Sequence, residues 1–249
     1  MTAGPRLLAE LTWPQIAELV AAGEELCLLP VGATEQHGPH LPVATDTEIA
    51  EAVCREASRR TGVPLLPTLW ATSSQAHTTA WPGTLSLPPR LLVDVVAELS
   101  RWVRASGFAR LLVLNGHVGN AAPLRVAVDE IRARGDLRTG LLHWYELTPE
   151  IGAEVTADAS DWHAHAAETS LMLHLRPELV DMTQVRDDPD RTEGLVLSYT
   201  VAETSREGLT GKPSSASAEQ GARLFEAVVA ALVERIETAR AEAPPDLGA

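Results

Sequence analysis

LCLLPVG, residues 26–32, is an apolar run of strand length closed by a proline and a glycine. Short apolar runs bounded by turn formers are the pattern of a strand buried on both faces. Three later stretches share it: VPLLPTLW at 63–70, ARLLVLNG at 109–116 and RTGLLHWY at 138–145. Between them the apolar period lengthens. DTEIAEAVCREASRR (46–60) repeats apolar residues at Ile49, Ala52, Val53 and Ala57, one face of a helix, with Asp46 and Thr47 as its expected caps. PPRLLVDVVAELSRWVRASGF (88–108) opens on prolines and ends near Gly107, and 121–134 continues the helical spacing. Strands separated by helices of this length predict βαβ units and a mostly parallel sheet. Further on, ETSLMLHL (168–175) reads as helical, 186–216 as the least regular stretch and SAEQGARLFEAVVAALVERIETAR (217–240) as a long closing helix. With no repeat and no dividing linker, residues 1–249 are expected to form one α/β domain with a frayed tail at 241–249.

The formal charge of −14 argues against nucleic acid, because a phosphate-binding surface needs clustered Lys and Arg and the 20 present are scattered. No apolar run reaches the roughly 18–20 residues that span a bilayer. The opening MTAGPRLLAE lacks a basic region followed by a long apolar one, so a cytoplasmic, membrane-free protein is expected. Cys27 and Cys54 lie in apolar segments and read as buried free thiols.

Chemistry concentrates just after the first strand. VGATEQHGPHLPVATD (31–46) crowds Glu35, His37, His40 and Asp46 into one loop. In an open parallel sheet, ligands bind beyond the carboxyl ends of the strands. NGHVGN (115–120), with His117, follows another strand, Trp144 closes a third, and DWHAHAAETS (161–170) carries His163, His165 and Glu168 at a helix mouth. Glu35, Asp46 and Glu168, if they converge, raise one another's pKa unless a cation intervenes. His37 and His117 add imidazole nitrogen. Oxygen and nitrogen donors without thiolate suit Zn²⁺, with Mn²⁺ or Fe²⁺ as alternatives. Five donors exceed what one catalytic zinc takes while keeping a water; two ions sharing a carboxylate use them all, and Asp46 is the natural bridge.

Each signal is weak alone. A histidine beside a glycine-rich turn is more often a hydrogen-bonded loop residue, and Glu168 could simply oppose a helix dipole. His40 reads as structural, His174 as a core histidine, and His143 could face either way. Ser73 and Ser74 lack a GxSxG-like setting, so no serine nucleophile is expected. SSQAHTTAWPGTLSL (73–87) offers a pocket wall, with His77 and Trp81 toward substrate and Trp144 and Trp162 opposite. Core packing is the competing reading for each tryptophan.

LPVGATEQHGPHLPVATDT, WPGTLSL, VLNGHVGN and HAHAAETSLML, in that order, resemble the creatininase family; ELTW near the start and GKPSSASAEQG near the end extend the likeness over nearly the whole chain. The resemblance implies a three-layer α/β/α fold with a mostly parallel central sheet and often a hexameric assembly. It implies a dinuclear-metal hydrolase of cyclic amides, formamides and related C–N bonds. By the same resemblance Glu35, His37, Asp46, His117 and Glu168 hold two divalent ions with Asp46 between them, and His163 is the acid/base residue. His163 would then protonate the leaving nitrogen, titrating near neutrality. Trp144 would stand near the substrate. Two positions depart from the pattern. Gly119 stands where the family's namesake has a metal-site glutamate, as it does in many relatives. His165 replaces the glycine of the usual HAG, where it could line the pocket or shuttle protons. Both point away from creatinine itself. The expectation is a homo-oligomeric, metal-dependent amidohydrolase of a small-molecule amide. A mycofactocin-precursor-type peptidase and a non-catalytic metal-binding protein on the same fold are the competing readings.

Overall fold

The computed structural model describes residues 4–77 and 80–245. In chain order it contains α1 (Trp13–Ala21), β1 (Leu26–Val31), α2 (Thr45–Thr61), α3 (Pro89–Ala105), β2 (Arg110–Asn115), α4 (Ala121–Arg134), β3 (Arg138–His143), α5 (Pro149–Val155), α6 (Ala166–Leu175), α7 (Val201–Thr204) and α8 (Ala218–Ala241). Among the described residues the sheet is β1-β2-β3, parallel throughout. Its register aligns Val31, Asn115 and His143, so the three strands end level and their exits form one edge.

Every residue of β1 is buried, and its side chains divide by parity. Leu26 and Leu28 join Leu112 and Leu114 of β2 in a core with Ile49 and Val53 of α2, Leu171 of α6 and Leu224, Val228 and Leu232 of α8. Cys27, Leu29 and Val31 join Leu111 and Val113 in a second core with Leu92 and Val96 of α3 and Leu124 and Ile131 of α4. Helices thus cover both faces, the three-layer α/β/α arrangement expected. Cys27 and Cys54 sit in these two different cores as buried free thiols, and burial pushes both pKa values up.

Two local readings are corrected. Residues 63–70 run beside β1 but form only isolated bridges, Leu28 to Leu65 and Val31 to Leu69. Leu66 N–H donates to Leu28 O and Leu69 N–H to Pro30 O, but Pro30 has no amide hydrogen to supply the rung between them, so the ladder is interrupted. The segment still accepts from Leu28 N–H through Pro64 O and from Gly32 N–H through Leu69 O. Helix α2 begins at Thr45, so Asp46 and Thr47 lie in its first turn instead of capping it. Thr47 donates to Ala33 O at 2.8 Å and Glu35 N–H donates to Val43 O at 2.8 Å, which folds the loop after β1 back over that turn. The stretch 186–216 is irregular as expected, holding only the one-turn α7 and a 3-10 turn at Pro213–Ser215 among the described residues. Of the tail expected to fray, Ala241 ends α8, residues 242–245 are exposed, and 246–249 lie outside the described residues. No helix of the described residues is long and apolar enough to cross a membrane.

Helix α6, which carries Glu168, is pressed into place by α8. At Gly221 the two backbones meet so closely that a Cβ would lie 1.8 Å from Ser170 O. Gly221→Ala is therefore expected to destabilise by about 1–3 kcal/mol or more through overpacking. Gly152→Ala in α5, whose added methyl would meet nothing nearer than 3.9 Å, is the control and should be neutral or stabilising. Urea denaturation of the two variants checks this; equal midpoints would refute the close-packing assignment.

Candidate metal centre

The level strand ends bring distant segments together. Beyond β1, His37 Nδ1 lies 3.1 Å from Glu35 O, so its N–H is spent on the backbone and Nε2 presents a lone pair. That Nε2 stands 3.3 Å from Asp46 Oδ1 and 3.7 Å from Glu168 Oε1. Beyond β2, Asn115 grips the next turn, donating to His117 O at 2.7 Å and accepting from His117 N–H at 3.1 Å. His117 Nε2 lies 3.1 Å from Ser73 O, which leaves Nδ1 facing Glu35 Oε1 at 3.2 Å and Asp46 Oδ2 at 3.4 Å. A backbone carbonyl on the far nitrogen is the usual way a ligating imidazole is oriented. From α6, Glu168 Oε2 accepts from His165 Nδ1 at 3.2 Å.

Glu35, His37, Asp46, His117 and Glu168 thus converge, and none is more than 7% exposed. Both oxygens of Glu35, Asp46 Oδ2 and His37 Nε2 have no hydrogen-bond partner, although His117 Nδ1 stands within ion-pair distance of Glu35 Oε1 and Asp46 Oδ2, and His37 Nε2 within it of Asp46 Oδ1. Buried polar atoms are rarely left so. The donor atoms of His37, Asp46 and Glu168 lie within 4.8 Å of one another, as do those of Glu35, His77 and His117 and of Glu35, His37 and His163. Burial, reinforced by Glu35, raises Asp46 to about 6 despite neighbouring His37. Burial opposes charge on His37 and His117 as well, yet the carboxylates outweigh it: Asp46 and Glu168 hold His37 well above its ordinary value, and Glu35 lifts His117 to about 9. The cluster calls for positive charge, and its oxygen and imidazole donors fit divalent cations.

The other expected site residues divide. A cavity of about 390 Å³ over the cluster is lined by His77, His117, His163, Glu168, Trp162 and Tyr199 among others. His77 is drawn further in than a pocket wall, with Nε2 3.3 Å from Glu35 Oε1. His163 Nε2 lies 2.8 Å from Gln36 O and Nδ1 is 3.7 Å from Glu35 Oε1. Burial, aided by His77 and His37, holds the His163 pKa well below its ordinary value, not near neutrality. Ala164, the one non-glycine residue with positive φ (49°) among the described residues, turns the chain between His163 and His165. His165 consequently faces away from the cavity, fully buried behind Glu168 and tilted against Trp162 at 4.7 Å. Trp144 is fully buried, its indole N–H donating to Gly116 O at 3.1 Å, and neither it nor Trp81 lines the cavity. His40 bonds Thr169 through Nε2, His143 accepts from Asn115, and His174 packs on Phe225.

Sequence reasoning passed over Gln36. Gly38 N–H donates to its Oε1 at 3.0 Å, which turns the amide NH₂ toward His77 Nδ1 at 3.1 Å, while its backbone O accepts from His163 Nε2 at 2.8 Å. His77 therefore accepts on Nδ1 and carries its proton on Nε2, aimed at Glu35. No periodicity marks such a residue; it stands between Glu35 and His37 in a loop.

The model for the family described as creatininase, creatinine amidohydrolase, matches residues 9–236. The chain belongs to the creatininase family. A creatinine amidohydrolase of Pseudomonas putida is 32% identical over 256 residues, covering 96% of this chain and 97% of that one. A mycofactocin precursor peptide peptidase of Mycobacterium ulcerans is 34% identical, covering 90% and 85%. A crystal structure of creatinine amidohydrolase matches with a TM-score of 0.85 at 30% identity, over 97% of this chain and all of that one. Solved creatininases also include a Zn-Zn type and a Mn form, with TM-scores of 0.83 and 0.84. This creatininase-family chain is accordingly a metal-dependent amidohydrolase by class, and its histidine and carboxylate groups support divalent metal binding. At the Gly119 departure, a Cβ would lie 2.3 Å from His117 Nε2 and 2.9 Å from Ser73 O, so the His117–Ser73 bond occupies the space a side chain needs.

Asp46→Ala is expected to lose bound metal while keeping its far-ultraviolet circular dichroism; full metal content by elemental analysis would overturn the ligand assignment. In the metal-free protein the raised pKa values keep His37 and His117 protonated at neutral pH, and a cation must displace those protons. Apparent metal affinity should therefore climb from pH 6 toward about 9, where His117 loses its proton unaided. Calorimetry in two buffers of different ionisation enthalpy measures the proton release; a pH-independent affinity would contradict it.

Proposed function

We propose that this enzyme hydrolyses a non-peptide C–N bond, in a cyclic amide, an open amide or a formamide, at two divalent ions. Glu35, His37, Asp46, His117 and Glu168 would hold the pair. The observation that carries the reading is the pair of buried, unbonded carboxylate oxygens, Glu35 Oε1 and Asp46 Oδ2, facing the same imidazole nitrogen, His117 Nδ1, at 3.2 and 3.4 Å. Zinc is the favoured ion, with manganese or iron(II) as alternatives, because the donors are nitrogen and oxygen without thiolate. Bound there, the ions would supply Lewis acidity that lowers the pKa of water and polarises an amide oxygen.

The remaining work falls to this chain's own groups. His163 spends Nε2 on Gln36 O, so Nδ1 is the atom that takes a proton from the attacking water and returns it to the leaving nitrogen. Its burial favours the neutral ring that such a cycle starts from. His77, its proton kept on Nε2 by Gln36, directs that proton at Glu35 and steadies the carboxylate. Trp162 supplies an apolar face against which a planar substrate rests. His165 holds Glu168 by its second oxygen.

Peptide cleavage is the second reading, favoured by the 34% identity to a peptidase of mycofactocin maturation, which equals that to the creatinine hydrolase within two points. Against a non-catalytic metal-binding protein stands the complete donor set, since a retired site would be expected to lose members. A small-molecule substrate, a cytoplasmic location and a homo-oligomer, hexameric as the resemblance implies, complete the proposal. The two free thiols support a reducing compartment, and the exposed indoles of Trp13, Trp70 and Trp102 support assembly.

His163→Ala, loaded with zinc, should keep its metal content and lose about 10²- to 10⁴-fold in turnover. A panel of lactams, formamides and short peptides reads both the loss and the substrate class. Unchanged turnover would reject the proton-carrier role, and cleavage of peptides alone would favour the second reading.

A further inference from the structure

The cavity above the carboxylate cluster does not end at its rim. Ser160, Asp161, Tyr199 and Thr204 line it and also line a second hollow of about 480 Å³ that runs outward past Leu195 and Leu197. In that stretch apolar side chains face solvent: Leu195 is 48% exposed, Val196 96%, Leu197 72% and Tyr199 46%. Neighbouring exposed apolar residues beside a concave site mark a binding groove more often than chance exposure does.

This outer shelf is anchored at both ends. Asp190 accepts from Thr192 N–H and Oγ1 at 2.8 and 2.7 Å, and Thr200 N–H and Oγ1 donate to Glu203 at 2.8 and 2.7 Å, capping α7. Arg191, paired with Asp188 at 2.6 Å, also donates to Thr204 O at 3.0 Å and ties the start of the stretch to its end. The apolar side chains are thus presented by a fixed turn while none of them enters either core. The charge of the lining decides what fits. Neither hollow is lined by a lysine or arginine among the described residues, and Asp161 stands where the two meet. An occupant with an anionic end group would find repulsion and no partner.

We propose that the outer hollow is a second part of the substrate site: it takes an uncharged apolar arm, alkyl or aryl, attached to the amide whose C–N bond lies over the carboxylate cluster. The inference rests on the hydrolytic reading above, and it makes the substrate an extended amide with one apolar side, not a compact ring alone.

The test uses the zinc-loaded protein and a series of straight-chain hydroxamic acids (aceto-, butyro-, hexano- and octanohydroxamic acid), whose head group chelates zinc. Isothermal titration should give affinities that rise with chain length, by up to roughly fourfold for each methylene buried. In Leu197→Asp the ratio of octano- to acetohydroxamate affinity should fall toward one, while Leu197→Met should retain it; Leu197→Asn substitutes for the aspartate variant if that fails to fold. A flat series in the parent protein, or a length dependence that survives both polar replacements, would overturn the outer site. Loss of length dependence accompanied by a changed mass in size-exclusion chromatography would also overturn it, because the shelf would then be a surface between copies. Failure of even acetohydroxamate to bind the zinc-loaded protein would instead strike the metal centre itself.

Discussion

Three carboxylates held out of water within a few ångströms of one another repel strongly, and no arrangement of neutral side chains relieves them. Donor oxygens of Asp46 and Glu168 lie within 4.8 Å of one another, Glu35 and Asp46 both face His117 Nδ1 at 3.2 and 3.4 Å, and all three acids are buried. The rest of the site is legible as a response to it. His37 and His117 are brought in with their outer nitrogens tied to the carbonyls of Glu35 and Ser73, so each offers its inner nitrogen to the acids. The shifts of Asp46, His37 and His117 all express a demand for positive charge that divalent ions meet more fully than protons do.

Holding such a cluster requires a rigid frame. The sheet register levels the ends of β1, β2 and β3, two cores clamp the sheet from both faces, and α8 presses α6 so closely that only glycine fits at Gly221. Trp144 belongs to this frame: its indole N–H on Gly116 O locks the β3 exit to the β2 exit. The hydrophobic layers therefore act on chemistry indirectly, by fixing where the acids stand while repulsion acts to separate them.

The cavity side is less constrained and more individual. His77, His163 and Gln36 form one hydrogen-bonded group above Glu35, whereas His165 lies buried on the other side of Glu168. Two imidazoles two residues apart in sequence thus face different surroundings because Ala164 turns between them in the left-handed region. The donor cluster is buried, whereas the outer turn at 192–200 carries the exposed side chains of Leu195, Val196, Leu197 and Tyr199.

Apolar period and residue chemistry were enough to specify the strands at 26–32, 109–116 and 138–145, the helices between them, and the acids and imidazoles that converge beyond the strand ends. Those features depend on side chains within one element, and a linear pattern records them. Tertiary structure decided the rest. Whether 63–70 joins the sheet turned on Pro30 of β1, which offers it no amide hydrogen, and Trp144 became part of the frame because a carbonyl from β2's exit met it. Gln36 acquired its role from His77, 41 positions away, and His163, 127 positions away. The tautomer and orientation of a loop side chain are set by groups that only folding brings within hydrogen-bond reach, so no local period can announce them.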